Sequence, residues 1–165
     1  MRVYLPSTTT GLRELVDTGA VGKAAMTAFA VTPGLREWYV DDDLEELEYA
    51  AMMEASRASL RLLDGEPAAA RRRVVLAAEL ADGALAVRDD LDRGVVQIVG
   101  ALPLAHVVAL HVDSADAETA VAEAAQLIAA ADLGDPAAQD AVDDAEGFEL
   151  CWYASQEIAA FVDLL

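Results

Sequence analysis

The chain is poor in cysteine and in basic residues. It holds one cysteine, Cys151, among 165 residues, which excludes an internal disulfide and any cysteine-built metal cluster and fits a reducing compartment. Lysine and arginine number 11 against 30 aspartate and glutamate residues, a formal charge of −19. Affinity for nucleic acid comes largely from cationic side chains displacing counterions at phosphates, so no direct binding to nucleic acid or to an anionic membrane is expected. Strong acidity instead steers a protein toward a basic partner. The opening residues, MRVYLPSTTTG, lack the charged region, apolar run and small-residue cleavage site of a secretory leader, and a cytoplasmic protein is expected. No lysine follows the Ser7–Thr10 hydroxyls at P-loop spacing, and no Gly-x-Ser-x-Gly elbow occurs.

One stretch free of full charges, Gly94 to Val112, is long enough to suggest a membrane span. Pro103 interrupts it, Gln97, His106 and His111 are polar, and β-branched residues dominate it. Two buried strands, Val95–Val99 and His106–Val112, paired as a hairpin about Gly100–Pro103, account for it better.

The hydrophobic fraction of 55% excludes disorder despite the charge, and the length suits a single domain over residues 1–165. Leu44 to Leu63 reads as the longest helix. Leu44, Leu47, Ala51, Ala55, Ala58 and Leu62 share one face, and Tyr49, Met53, Ser56, Leu60 and Leu63 form a neighbouring stripe. Ahead of it, Arg2–Leu5 is a strand halted by Pro6. The Ser7–Thr10 hydroxyls cap a helix through Leu12, Leu15 and Val16 that Gly19 ends, with a small bound anion as the sharper alternative. Met26–Val31 is a second strand, and Thr32 caps a short helix with Pro33 in its first turn. Behind the long helix, VVLAAEL is a third strand, and Ala81–Arg93 is irregular or a weak edge strand. Asp113, Ser114 or Asp116 caps a helix with the stripe Val121, Ala124, Ala125, Ile128 and Ala131. Asp135–Pro136 starts another helix. Gly147 breaks it before a final amphipathic helix through Phe148, Cys151, Trp152, Ser155, Ile158, Ala159 and Val162, where Cys151 is an inert packing residue. The order predicts an α/β or α+β domain, a mixed sheet of about five strands covered by helices.

The blocks MRVYLP, TAFAVTP followed by LREWY, ELEYAA, SLRLL, RRRVVLAAEL, HVDSADAE and AVDDAEGFELCWYASQEI together resemble a family of small, functionally uncharacterised actinobacterial proteins along nearly the whole chain. The resemblance implies a bacterial cytoplasmic protein, and it carries no functional residue over.

Two constellations stand out. His111 and Asp113 share a strand face where the strand meets a helix start, the usual rim for ligands in such sheets. One of Arg71, Arg72 and Arg73 would there meet an anionic substrate, although pairing with nearby carboxylates is the plainer role of all three arginines. A small-molecule or metal-dependent enzyme is the reading this rim would support. The other constellation is Trp38 and Tyr39 beside Asp41, Asp42, Asp43 and Glu45, aromatic and acidic residues of the kind found where proteins meet. Core packing is the favoured role for Trp38 and Trp152, because the chain has few other large side chains. Asp143, Asp144, Glu146 and Glu149 match no calcium-loop spacing and read as a solvated turn. No metal and no cofactor is expected. The leading reading is a non-enzymatic interaction or regulatory module with a basic protein partner, one form of it an acidic surface that occupies a basic groove in place of nucleic acid. A homodimer through the Trp-bearing helices is a further expectation.

Overall fold

The first strand, β1 (Arg2–Ser7), becomes the centre of the sheet because later strands add to both of its sides. The computed structural model describes residues 1–40 and 42–165. On one side of β1 lie β3 (Met26–Ala30), β6 (Val95–Ile98) and the edge strand β5 (Leu85–Val87). On the other lie β4 (Val74–Glu79), β8 (Val107–Val112) and the edge strand β9 (Cys151–Ala154). All six ladders of this seven-stranded sheet are antiparallel. Two short strands, β2 (Ala20–Val21) and β7 (Leu102–Pro103), pair separately. Six helices are present among the described residues: α1 (Thr9–Thr18), α2 (Pro33–Trp38), α3 (Leu44–Asp64), α4 (Glu118–Asp132), α5 (Pro136–Glu146) and α6 (Ile158–Asp163). The protein is thus a single α+β domain.

The central strands are buried on both faces, which explains why β4 reads as an unbroken apolar run. Val74, Leu76 and Ala78 join Val3, Leu5 and Leu110 under Leu12 and Leu15 of α1 and Ile158 of α6. Val75 and Ala77 join Tyr4, Phe29 and Ala109 under Leu47, Ala51 and Ala55 of α3. Farther along α3, Leu60 and Leu63 leave the sheet and pack against Val121, Ala124 and Ile128 of α4 and Val142 of α5. One helix therefore covers the sheet with its first half and nucleates a helical layer with its second.

The terminating signals act locally as their chemistry requires. Thr8 caps α1, Thr32 caps α2 with Pro33 in the first turn, and Asp135 caps α5. Gly19 ends α1 in the left-handed region at φ 81°. The stripe expected on α4 is buried at all five positions.

The expected hairpin does not form. β6 pairs with β3 and β5, β8 pairs with β4 and β9, and β7 between them joins β2. Two apolar β-runs joined by a Gly–Pro turn carry no record of which neighbours they choose. The final helix is also shorter than expected. Cys151–Ala154 forms β9, and helix begins only at a 3₁₀ turn, Ser155–Glu157, before α6. Cys151 is accordingly exposed on an edge strand. Pro6 does not halt β1, which continues to Ser7 opposite β4. The ladder with β3 covers only Val3 and Tyr4, so Pro6 sits where one flank of the strand is open and a missing N–H is tolerated. On α3, Leu44, Tyr49 and Leu62 are exposed, and the buried face is Leu47, Ala51, Ala55, Ser56, Ser59, Leu60 and Leu63. The start of α4 has no side-chain cap. A 3₁₀ turn, Ala115–Ala117, leads into it.

Ser59 fastens α3 to the sheet. Its buried hydroxyl donates to the Ser7 carbonyl at 2.7 Å and accepts from the Val74 amide at 3.1 Å, bridging the ends of β1 and β4. Ser59→Ala should lower stability by about 1–3 kcal/mol in urea denaturation, because it leaves two buried backbone groups unpaired. Ser56→Ala, which removes only a bond to the Met53 carbonyl of its own helix, should cost less.

Candidate functional site

A short loop is pinned to the start of α2 by one carboxylate. Asp89 accepts from the Thr32 hydroxyl at 2.5 Å, the Gly34 amide at 3.0 Å and the Gly94 amide at 3.0 Å. Burial, the largest influence on this group, opposes its charge. The three donors outweigh that and hold its pKa below the ordinary carboxylate value. Gly34 is required here, since a Cβ would lie 2.6 Å from the Asp89 carboxyl carbon. The pinned loop delivers Arg93, whose guanidinium carbon sits 3.5 Å from the ring centroid of Trp38 at the end of α2.

Arg93 and Trp38 form one wall of an open groove of about 800 Å³ between α2 and the first half of α3. Tyr39, Tyr49 and Met53 supply apolar surface, and Asp43, Glu45, Glu46, Glu54 and Asp92 supply carboxylates. Arg93 is the one cationic residue lining it among the described residues. Of the aromatic and acidic residues singled out in the sequence, Trp38, Tyr39, Asp43 and Glu45 meet in this groove. Asp43 also caps α3 by accepting from the Glu45 amide at 3.0 Å. Asp42 is exposed and pairs with Arg36 at 2.6 Å. Asp41 lies outside the described residues.

Tyr49 and Met53 also line a second hollow, of about 300 Å³, between α3 and β9. Met52, His111, Phe148 and Trp152 line its walls, with Glu146 and Glu149 at its acidic side. Trp38 and Trp152 are each 62% exposed, so the core does not take the tryptophans. The small side chains of the helices fill it instead. Trp152 stands on β9, not on a helix.

His111 is half-buried in the second hollow, opposite Val75 on β4 and Trp152 on β9. Burial lowers its pKa, and the positive charge of Arg2 lowers it further. Asp113 does not join it. Both Asp113 oxygens turn to Arg73, accepting from Nε at 2.9 Å, Nη2 at 2.8 Å and the Arg73 backbone amide at 2.7 Å. Arg73 and Asp113 are each 1% exposed. Arg73 Nη2 also donates to the Phe148 carbonyl at 2.9 Å, so it touches the second hollow only as part of its wall. Arg71 caps the end of α3, donating to the carbonyls of Leu63, Glu66 and Ala69. Arg72 pairs with Glu118 at 2.9 Å. His106 is exposed in a 3₁₀ turn before β8. Burial raises the pKa of Glu146. No group of three or more His, Cys, Asp or Glu side chains is placed to hold one metal ion among the described residues.

Tyr49, Met53, Arg93 and Asp89 have roles that the sequence alone does not disclose. Helical periodicity assigns Tyr49 and Met53 to a buried stripe, and nothing in the loop sequence marks its docking onto α2.

The chain belongs to a family of unknown function, DUF6912, whose model matches residues 1–162. Neither a curated protein nor a solved structure matches it. No helix among the described residues is long and apolar enough to cross a membrane.

Breaking the buried pair with Arg73→Met should destabilise the protein by about 3–5 kcal/mol, and the double change Arg73→Met with Asp113→Leu should recover much of that in chemical denaturation, because no lone charge stays buried. In an NMR titration the His111 ring should titrate below its ordinary value of 6.5. Its lowered folded pKa means that the neutral ring is favoured in the fold. That contribution is present above 6.5 and is lost as the pH falls toward the folded pKa. Arg2→Gln should move the titration upward.

Proposed function

We propose that the protein is a binding module whose acidic, aromatic groove receives an arginine-bearing segment of a basic protein partner. The observation that carries this reading is the Arg93 guanidinium resting on Trp38 inside a groove lined by five carboxylate residues. The groove already holds one guanidinium of its own chain, in the geometry that aromatic faces favour for cations. An incoming arginine would meet the same chemistry on Tyr39 or Tyr49, with Glu45, Glu46 and Glu54 within the same groove to accept its planar fork.

Energetics point to a moderate, salt-sensitive encounter. A cation over an exposed aromatic ring contributes about 0.5–1 kcal/mol, and an exposed ion pair about 0.2–1 kcal/mol. Several such contacts are needed for useful affinity, which suits an extended segment spanning the trough more than a single side chain. The long-range field of a chain with charge −19 raises the rate of encounter with a basic partner.

Fluorescence anisotropy with a labelled peptide of alternating arginine and small apolar residues would test the site. Glu45→Lys with Glu46→Lys, or Tyr39→Ala with Tyr49→Ala, should weaken binding about tenfold or more, roughly the effect of removing 1.4 kcal/mol or more. Asp17→Lys with Asp163→Lys makes the same charge change on helices that cover the opposite face, and should weaken it far less. Equal loss from both charge-reversing pairs would mean that only net charge matters and would remove the groove from the reading.

A further inference from the structure

A third hollow lies away from both of these, where two central strands part. β1 pairs with β4 along all six of its residues, and β3 pairs with β6 from Met26 to Phe29. Between themselves β1 and β3 pair only at Val3–Ala30 and Tyr4–Phe29. Beyond that point Leu5–Ser7 and Met26–Ala28 face each other with no ladder between them. The split opens into a notch of about 550 Å³, within the range of small-molecule sites. The split leaves backbone edges without a strand partner; Leu5 and Phe29 at its base stay buried, and Met26, Ala58 and Leu62 carry the more open apolar surface.

The lining is divided in its chemistry. Leu5, Met26, Phe29, Ala58 and Leu62 make an apolar body. Glu14 and Glu66 stand at the polar side, together with the Thr8 hydroxyl, which caps α1 and donates to Glu66 at 3.0 Å. Arg61 is the one cation lining the notch among the described residues, and it is committed to Asp132 through contacts of 2.7 and 2.9 Å. Glu66 already supplies the negative charge that favours the start of α1, so a bound anion would compete with a resident carboxylate. Two glycines line the notch. A Cβ at Gly11 would lie 2.2 Å from the Ser7 hydroxyl oxygen, and Gly22 sits at φ 85°, in the left-handed region that favours glycine.

We infer that this notch binds a small amphipathic cation, with an apolar body on the floor between β1 and β3 and an ammonium head at Glu14 and Glu66. The carboxylates give the head its sign, and burial of the body on the apolar floor gives it its affinity.

The test uses the full chain and two probes of equal length, n-octylammonium and octanoate, followed by amide NMR shifts. Octylammonium should saturably move the amides of Leu5, Ser7 and Met26–Phe29, and octanoate should not. Glu14→Gln with Glu66→Gln should weaken octylammonium about tenfold while leaving the fold intact, since glutamine still accepts from Thr8. Thr27→Trp, a change at an exposed position on the lip, should block the probe by filling the notch. Trp38→Ala should leave this binding unchanged, which separates it from the arginine groove. Equal binding of octanoate, shifts confined to the α2–α3 groove, or indifference to the glutamine pair would each overturn the assignment.

Discussion

The ion pair between Arg73 and Asp113 is the constraint on which the surrounding arrangement rests. Two opposite charges taken fully out of water are tolerable only when geometry and hydrogen bonding compensate their lost hydration. Here the pairing is bidentate, the Arg73 amide adds a third donor to Asp113, and Asp113's own amide returns a bond to the Arg73 carbonyl at 3.1 Å. Nη2 donates a second time, to the Phe148 carbonyl in the segment between α5 and β9. One pair thus fixes the entry to β4, the exit of β8 and the approach to the edge strand. Its neighbours extend the hub: Arg71 closes the end of α3 and Arg72 holds the start of α4. Three adjacent arginines tie three different elements to one corner of the sheet.

That use of cations shapes the surface. In a chain with 11 basic residues, each one committed to an internal bond leaves acidic side chains elsewhere without a counterion. Arg57 and Arg61 both converge on Asp132, Arg2 holds Glu79, and Arg88 holds Asp90. Among the described residues, the α2–α3 groove retains Arg93 alone against five carboxylate residues. Its negative field is therefore a consequence of how the fold is fastened as much as of composition.

Local signals in the sequence translated faithfully where the chemistry is local. Thr32–Pro33, Asp135–Pro136 and Gly19 mark helix ends through their own side chains or backbone freedom, and the α4 stripe follows from helical spacing. Pairing between distant strands left no such mark. Val95–Ile98 and Val107–Val112 look alike as apolar β-runs, yet they lie on opposite sides of β1. The segment around Cys151 fits helical and strand periods equally over so few residues, and its strand identity comes from β8 beside it. For the site, the aromatic and acidic residues near α2 were legible as a group, because they are close in sequence. Arg93, supplied from a loop more than fifty residues away, was not. Asp113 was visible as a polar residue at a strand end, but the choice of Arg73 over His111 belongs to the tertiary structure.

The strand order also permits the sheet to assemble in the order of the chain. Starting from β1, each side of the sheet extends outward in nearly the order in which the ribosome would deliver the chain: β3 then β6 on one flank, β4 then β8 then β9 on the other. Within this sheet, among the described residues, only β5 must wait for the strand that follows it, as β2 outside the sheet waits for β7. Nearly every arriving strand finds its partner already made, and it caps an edge that would otherwise be open to other chains. The nascent sheet never needs to reopen in order to admit a later strand at its centre.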